Sequence, residues 1–297
     1  MLINDAMNKE HWSLSSLRPM TDEEFHLWQA LIETRVGMTV GESRRSFLCT
    51  NLGVRMRELG LHDYDTYYER LVQGAGAASE PEWSVLVDRL TVQETSFFRH
   101  QPSFDCYGRF VADSIRDHRR NQLNIWSVGC STGEEPYSLA MQLQVQLDAS
   151  GRAQEIFWGI TATDISLPTL AKGREAIYPV RRTEQVPEIW RKKFFLPCGK
   201  DRLQIIPELR AKVCFAQVNI MELAKAPFFD MDVVFCQNVL IYFKRFRKRD
   251  IVSHLVQKLT PGGILILGVN EMVDWQHPEL ERVRDPGVLA FRRRLST

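Results

Sequence analysis

The stretch "WSVGCSTGEEPYSLAM", residues 126–141, joins an apolar run to a helical pattern through Gly129 and Gly133, then sets Glu134 and Glu135 at the helix start. A glycine turn lets a ligand approach the backbone, and in phosphate-binding loops the anion rests on the first helical N–H groups. Two carboxylates there would repel a phosphate. The spacing G-C-S-T-G also departs from G-x-G-x-x-G, and no G-K-[ST] follows. The helix dipole alone would welcome carboxylates at this end, so either glutamate taken singly has a plain explanation. Asp164, closing the next apolar run "IFWGITATD", stands where an acidic residue binds ribose hydroxyls. A nucleoside with cationic groups and no phosphate meets both conditions. S-adenosylmethionine, with ribose, adenine, ammonium and sulfonium, is such a molecule.

These residues need a frame that brings several loops together. From Asn124 onward, "NIWSVG", "IFWGITATD", "KVCFAQVN", "DVVFCQN" and "GGILILGV" alternate with helical stretches. Apolar strands bounded by helices predict an α/β, Rossmann-like doubly wound domain with a parallel sheet covered on both faces. Ligands bind such sheets at the carboxyl ends of the strands. Gly129 and Gly133, Asp164, Asn219 and Asn238 each follow a strand, so they are expected to converge on one crevice. The last run, "GVLAFRRR", has no helix after it and is expected at a sheet edge. Between Tyr178 and Val213 the rhythm breaks, and "RLQIIPEL" after "PCGKD" predicts a small hairpin, giving an inserted antiparallel β subdomain at about 179–213.

The first 95 residues lack strand signals and form a small helical domain, leaving 96–297 for the α/β domain. Thr21 and Glu24 make a capping box, Phe25, Trp28, Leu31 and Ile32 recur at helical spacing, and Gly37 stops the helix. In "ESRRSFLCTNLGVRMRELG" one face is Leu48, Leu52, Met56 and Leu59. "DYDTYYERLV" and "PEWSVLVDRL" read as shorter helices separated by a flexible "QGAGAASE".

With 38 Lys+Arg against 37 Asp+Glu, no global field draws the chain to nucleic acid or membrane, and a charged partner must meet a local patch. The six cysteines show no C-x-x-C or zinc spacing, so no metal is expected, and Cys214 and Cys236 read as small buried hydrophobes within strands. "MLINDAMNKEHW" has no signal pattern, and no apolar run approaches the roughly 20 residues that cross a bilayer. A cytoplasmic protein with reduced thiols is expected.

"LTVQETSFFRH", "STGEEPYSLA", "ATDIS", "AQVNI", "FCQNVLIYF" and "LTPGGILILGVNE" together resemble the chemotaxis-receptor glutamate methyltransferases, the CheR family, in order and over nearly the whole chain. The resemblance implies a helical domain, a methyltransferase domain and an inserted β subdomain. It implies methyl transfer from S-adenosylmethionine to glutamate side chains on the cytoplasmic helices of a methyl-accepting receptor, leaving S-adenosylhomocysteine. By motif, the cofactor site would comprise Gln93, Thr95, Arg99, Glu135, Asp164, Asn219, Ile220, Asn238 and Val239, beside Gly129 of the turn. Family members more often carry Asn where this chain has Gln93. Residues near the transferred methyl would be Arg99 and Tyr242.

A glutamate carboxylate is already ionised at neutral pH, so the reaction needs alignment rather than a general base. Arg99 would hold the carboxylate and Tyr242 would donate to it. The plain alternatives are a surface arginine and a packing aromatic. Family use of the second helix makes Arg44, Arg45 and Arg55 candidates for receptor recognition. Arg44 and Arg55 stand three turns apart on one flank, while Arg57 points elsewhere and a solvated face explains them equally. "KRFRKR", 244–249, reads as a solvated face opening a helix rather than a nucleic-acid patch. The inserted hairpin is shorter than in members that dock on a receptor's C-terminal pentapeptide, so direct recognition without that tether is expected. Two other readings stay open: a methyltransferase of the same fold acting on another substrate, and a silent binding module.

Overall fold

The computed structural model describes residues 18–73, 80–91, 93–118, 120–272 and 275–295. The amino-terminal segment inspected for a signal and most of the "QGAGAASE" spacer lie outside the described residues.

Four helices come first: α1 (Asp22–Val36), α2 (Arg45–Glu58), α3 (Tyr64–Gln73) and α4 (Glu80–Leu90). Thr21 caps α1 as its type dictates, accepting the Glu24 N–H at 3.2 Å while its own N–H donates to the Glu24 carboxylate at 2.8 Å. Phe25, Trp28, Ile32, Leu48, Leu52, Met56, Tyr67 and Leu86 close a core of their own. Arg44 sits in a 3₁₀ turn, Glu42–Arg44, ahead of α2, so it does not share the flank of that helix with Arg55. Gly37 ends α1 at φ +74, where a Cβ would lie 2.3 Å from Met221 Sδ. The loop past α1 is thereby pressed against the second half of the chain.

That half is built on β1 (Gln122–Val128), β2 (Phe157–Asp164), β3 (Ile177–Pro179), β4 (Phe195–Pro197), β5 (Arg202–Ile205), β6 (Val213–Gln217), β7 (Met231–Cys236), β8 (Leu259–Leu267), β9 (Leu280–Val283) and β10 (Leu289–Arg293). Seven of them form one sheet in the order β6-β2-β1-β7-β8-β10-β9. The first five are parallel, and β10 and β9 add antiparallel. Helices α5 (Gln101–Arg116), α6 (Glu134–Ser150), α7 (Leu167–Glu175) and α10 (Arg245–Lys258) cover it. Alternation divides each strand between two faces. Ile125, Val233 and Ile264 join one core with Phe104 and Leu139, whereas Trp126, Val234 and Leu265 join the other with Ile251 and Leu255. The inserted unit is the antiparallel trio β3-β5-β4 with short helices α8 (Glu188–Phe194) and α9 (Pro207–Arg210).

Two expectations need correction. The β10 run is not at the edge, because β9 pairs outside it; Glu281 and Arg282 keep β9 from reading as an apolar strand. Cys214 is exposed, because β6 is itself the opposite edge strand and presents that residue outward, while Cys236 is buried as expected.

Candidate active site

The carboxyl ends of β1, β2, β6 and β7 open into a cleft of about 1120 Å³, part of it solvent. Its wall includes Gly129, Asp164, Asn219 and Asn238, one from each strand end, as the topology demands. Gln93, Thr95, Arg99, Glu135, Ile220, Val239 and Tyr242 line the same space. All ten cofactor candidates and both methyl-transfer candidates are thus gathered in one place.

Gly129 adopts φ +72, and a Cβ there would sit 2.3 Å from Val239 Cγ2. Its N–H and that of Cys130 both donate to the Thr163 carbonyl, at 2.8 and 2.9 Å, which folds the turn back over β2. Asp164 accepts the N–H of Ser131 at 2.8 Å and of Ser166 at 3.0 Å. Burial pushes its carboxyl up while those N–H groups oppose the shift. Beside it the Ser131 hydroxyl is buried with no hydrogen-bond partner. An acid at the end of the second strand and an orphaned hydroxyl in the turn after the first fit a ribose.

Glu135 lies in the first turn of α6 and receives the Ser127 hydroxyl at 2.6 Å. Burial pushes its carboxyl up to about 8, against the Ser127 bond; the negative charge of Glu271 adds to the rise and Arg99 offsets part of it. A carboxylate so deprived of water is completed by a cationic ligand. Glu134 is fully buried and takes an ion pair from Arg182 at 2.9 Å and the Thr132 hydroxyl at 2.6 Å, so it locks the turn and does not line the cleft.

Near the cleft mouth, Tyr242 is carried by a 3₁₀ turn, Leu240–Tyr242. Burial raises its hydroxyl pKa, with Arg44 and Arg99 pulling the other way. Arg99 is exposed and donates to the Glu94 carbonyl at 2.7 Å. Asn219 bridges the domains, donating to the Arg35 carbonyl at 3.1 Å while accepting the Met221 N–H at 3.0 Å. Gln93 donates to Asp88 at 2.7 Å, so its longer side chain reaches the helical domain.

The three recognition candidates separate. Arg55 forks onto Glu82 at 2.9 and 2.6 Å and also reaches Glu58 at 2.9 Å. Glu82 in turn accepts the Tyr67 hydroxyl at 2.7 Å, so Arg55 belongs to a network inside the helical domain. Arg45 pairs with Asp22 at 2.6 Å. Arg44 has no carboxylate partner among the described residues; its guanidinium lies 4.7 Å from the Phe47 ring and 5.7 Å from the Tyr242 ring, at the rim.

Several cleft residues escape a sequence reading. Val36 and Met38 of the helical domain form part of the wall, signalled only by the Gly37 stop between them. Gln237, buried, donates to Ser103 at 2.6 Å beneath the cleft. Buried Glu271 accepts N–H groups of Gly268 at 2.8 Å and Ile241 at 3.3 Å, tying the end of β8 to the Tyr242 turn. Among the described residues no helix is long and apolar enough to cross a membrane, and no cluster of three or more His, Cys, Asp or Glu could hold a metal.

A doubly wound sheet whose switch-point cleft offers a glycine turn, a strand-end acid and a buried carboxylate, but no phosphate cradle, has the form of a nucleoside-binding α/β domain. Known proteins sharpen the class. Residues 93–286 match the CheR methyltransferase SAM-binding domain, and 23–91 match the CheR all-alpha domain. Chemotaxis protein methyltransferase 2 of Pseudomonas aeruginosa is 32% identical over 256 residues, covering 84% of this chain and 87% of that one. The chemotaxis protein methyltransferases of Salmonella typhimurium and Escherichia coli are 32% and 31% identical, covering 85% of this chain and 84% and 85% of theirs. The chain belongs to the CheR methyltransferase family, with S-adenosylmethionine as its cofactor.

Proposed function

We propose that this chain methylates glutamate side chains on the cytoplasmic helices of a methyl-accepting chemoreceptor. The observation that carries the reading is the cleft itself: Asp164, Ser131 and Glu135 suit the donor, while Arg99 and Tyr242 line the same space. In this reading Asp164 and the Ser131 hydroxyl hold the ribose, and Glu135, once ionised, holds a cationic group. Gly129 and Val239 shape the floor, and Gln93, Thr95, Asn219, Ile220 and Asn238 complete the wall. Bound S-adenosylmethionine supplies an electrophilic methyl group on a cationic sulfur.

The chain's own work is to orient an acceptor that is already an anion. Arg99 pairs with one carboxylate oxygen and Tyr242 donates to the acceptor, leaving the other lone pair facing the methyl. Transfer would form the oxygen–carbon bond as the carbon–sulfur bond breaks, leaving S-adenosylhomocysteine, with no proton to move. A lysine acceptor would arrive charged and need a base, which neither Arg99 nor Tyr242 can be near neutral pH. Arg44, free at the rim, is the recognition candidate that suits an acidic partner; Arg45 and Arg55 are committed to carboxylates of their own domain. Residues 1–95 act as the recognition domain and 96–297 as the catalytic one. Cytoplasmic location follows from where such receptor helices lie.

Incubation with methyl-labelled S-adenosylmethionine and a receptor signalling domain tests the reading. Label that alkali releases as methanol is expected. Alkali-stable label on lysine or arginine, or label confined to a small molecule, would overturn it.

A further inference from the structure

The basic run 244–249 has no task in the cleft. Lys244 pairs with Glu33 at 2.7 Å, and Lys248 donates to the Glu271 carbonyl at 3.2 Å. Arg245, Arg247 and Arg249 have no carboxylate partner among the described residues. All three fall within the start of α10, whose first turn holds no acidic residue and whose cap, Lys244, makes no side-chain capping bond. Cations at the amino end of a helix oppose its dipole. The run therefore works against the helix that carries it, and no carboxylate among the described residues offsets Arg245, Arg247 or Arg249.

The surroundings indicate what would offset these cations. Arg245, Lys248 and Arg249 line a groove of about 740 Å³ with Asn270, Glu271, Met272 and Trp275, and the one carboxylate of that lining, Glu271, is already held by the N–H groups of Gly268 and Ile241. Phe243 lines both this groove and the cleft, so the two adjoin beside the turn that bears Tyr242. Ile241, Phe246 and Val269 expose 55%, 52% and 43% of their surface. Phe246 stands between Arg245 and Arg247 in the chain, and Val269 precedes the groove-lining Asn270, so apolar surface adjoins the cations. Arg44, on the helical domain, lies 5.7 Å from the Tyr242 ring.

We propose that the groove at the start of α10 docks an acidic, amphipathic helical segment of the methyl-accepting partner, beside the glutamate that enters the cleft. The proposal rests on the glutamate reading above and adds a second recognition surface, on the catalytic rather than the helical domain. A helix with carboxylates at i, i+3, i+4 and i+7 presents a stripe of negative charge flanked by apolar residues. When one carboxylate is drawn down to Tyr242, its neighbours along the stripe face Arg245, Arg249 and Arg44. The apolar flank meets Ile241 and Phe246. Neutralising the arginines by an acidic partner also relieves their conflict with the dipole of α10.

The test is Arg245→Glu/Arg249→Glu in the full chain, with Arg245→Gln/Arg249→Gln as a milder partner. Calorimetric affinity for S-adenosylmethionine serves as the folding and cleft control and is expected to be unchanged. The kcat/KM for the receptor signalling domain should fall by about tenfold or more in the reversal, chiefly through KM, and its dependence on salt should weaken in both variants. Wild-type kcat/KM and salt dependence in both variants would overturn the surface while leaving the glutamate reading intact. Absence of any alkali-labile ester with the wild-type chain would overturn both. Binding to phosphatidylglycerol vesicles that is lost in the reversal, with methylation unchanged, would assign the patch to a membrane and also overturn the proposal.

Discussion

Replacing Glu135 with glutamine should abolish a proton release that accompanies cofactor binding. Burial holds this carboxyl at about 8 in the open cleft. At pH 7 it is mostly protonated, and charging it costs on the order of 1 kcal/mol. A cation docking within ~4–6 Å reverses the preference. Binding at pH 7 should therefore expel most of a proton per site. Between pH 6 and 7.5 affinity should climb toward tenfold per unit, below the range where the donor's own amino group titrates near ~8. Calorimetric titrations in phosphate and in Tris would differ in apparent enthalpy by that proton's worth of buffer ionisation. In Glu135→Gln the two buffers should agree. The sign also appears in the cofactor-free protein. A carboxyl raised on folding binds more protons native than unfolded, so its contribution is fully present below the unfolded value near 4.5 and is lost as pH rises through 8. The melting temperature of the wild type should fall over that window, and the variant should lack this part of the fall. Buffer-independent enthalpy in the wild type, or dependence retained in the variant, would refute the assignment.

Three further outcomes follow from the geometry. Tyr242→Phe keeps the ring that packs under Arg44 but removes the donor, so kcat should drop roughly 10–100-fold with little change in cofactor affinity, by steady-state kinetics and calorimetry. Gly129→Ala places a methyl 2.3 Å from Val239 at φ +72, so S-adenosylmethionine binding should weaken by at least tenfold or the domain should melt earlier. Arg55→Ala strands Glu82 with only the Tyr67 hydroxyl, and should destabilise by roughly 2–4 kcal/mol in urea unfolding, with receptor kcat/KM unaltered at temperatures where the variant stays folded.

What could be read beforehand was what local chemistry determines. Gly129, Asp164, Asn219 and Asn238 follow apolar runs, and strand ends in a parallel sheet must meet, so their convergence was legible from spacing alone. Thr21 and Glu24 cap a helix three residues apart, which needs no tertiary knowledge. Partners distant in the chain were hidden. Arg55 is 27 residues from Glu82, and nothing near either marks them as a pair. Glu271 supports the Tyr242 turn across 30 residues, and Met38 reaches the cleft only because Gly37 lets its loop press on Met221. Strand β9 does not read as a strand because its outward residues are charged, and the exposure of Cys214 follows from strand order, which periodicity does not report.

The most direct test of the account is a crystal structure of the chain with S-adenosylhomocysteine. It should place the ribose hydroxyls on Asp164 and Ser131, the ammonium toward Glu135, and the sulfur facing Tyr242 and Arg99 at the cleft mouth. A ribose seated away from Asp164, or a sulfur turned from Tyr242 toward the sheet, would contradict it.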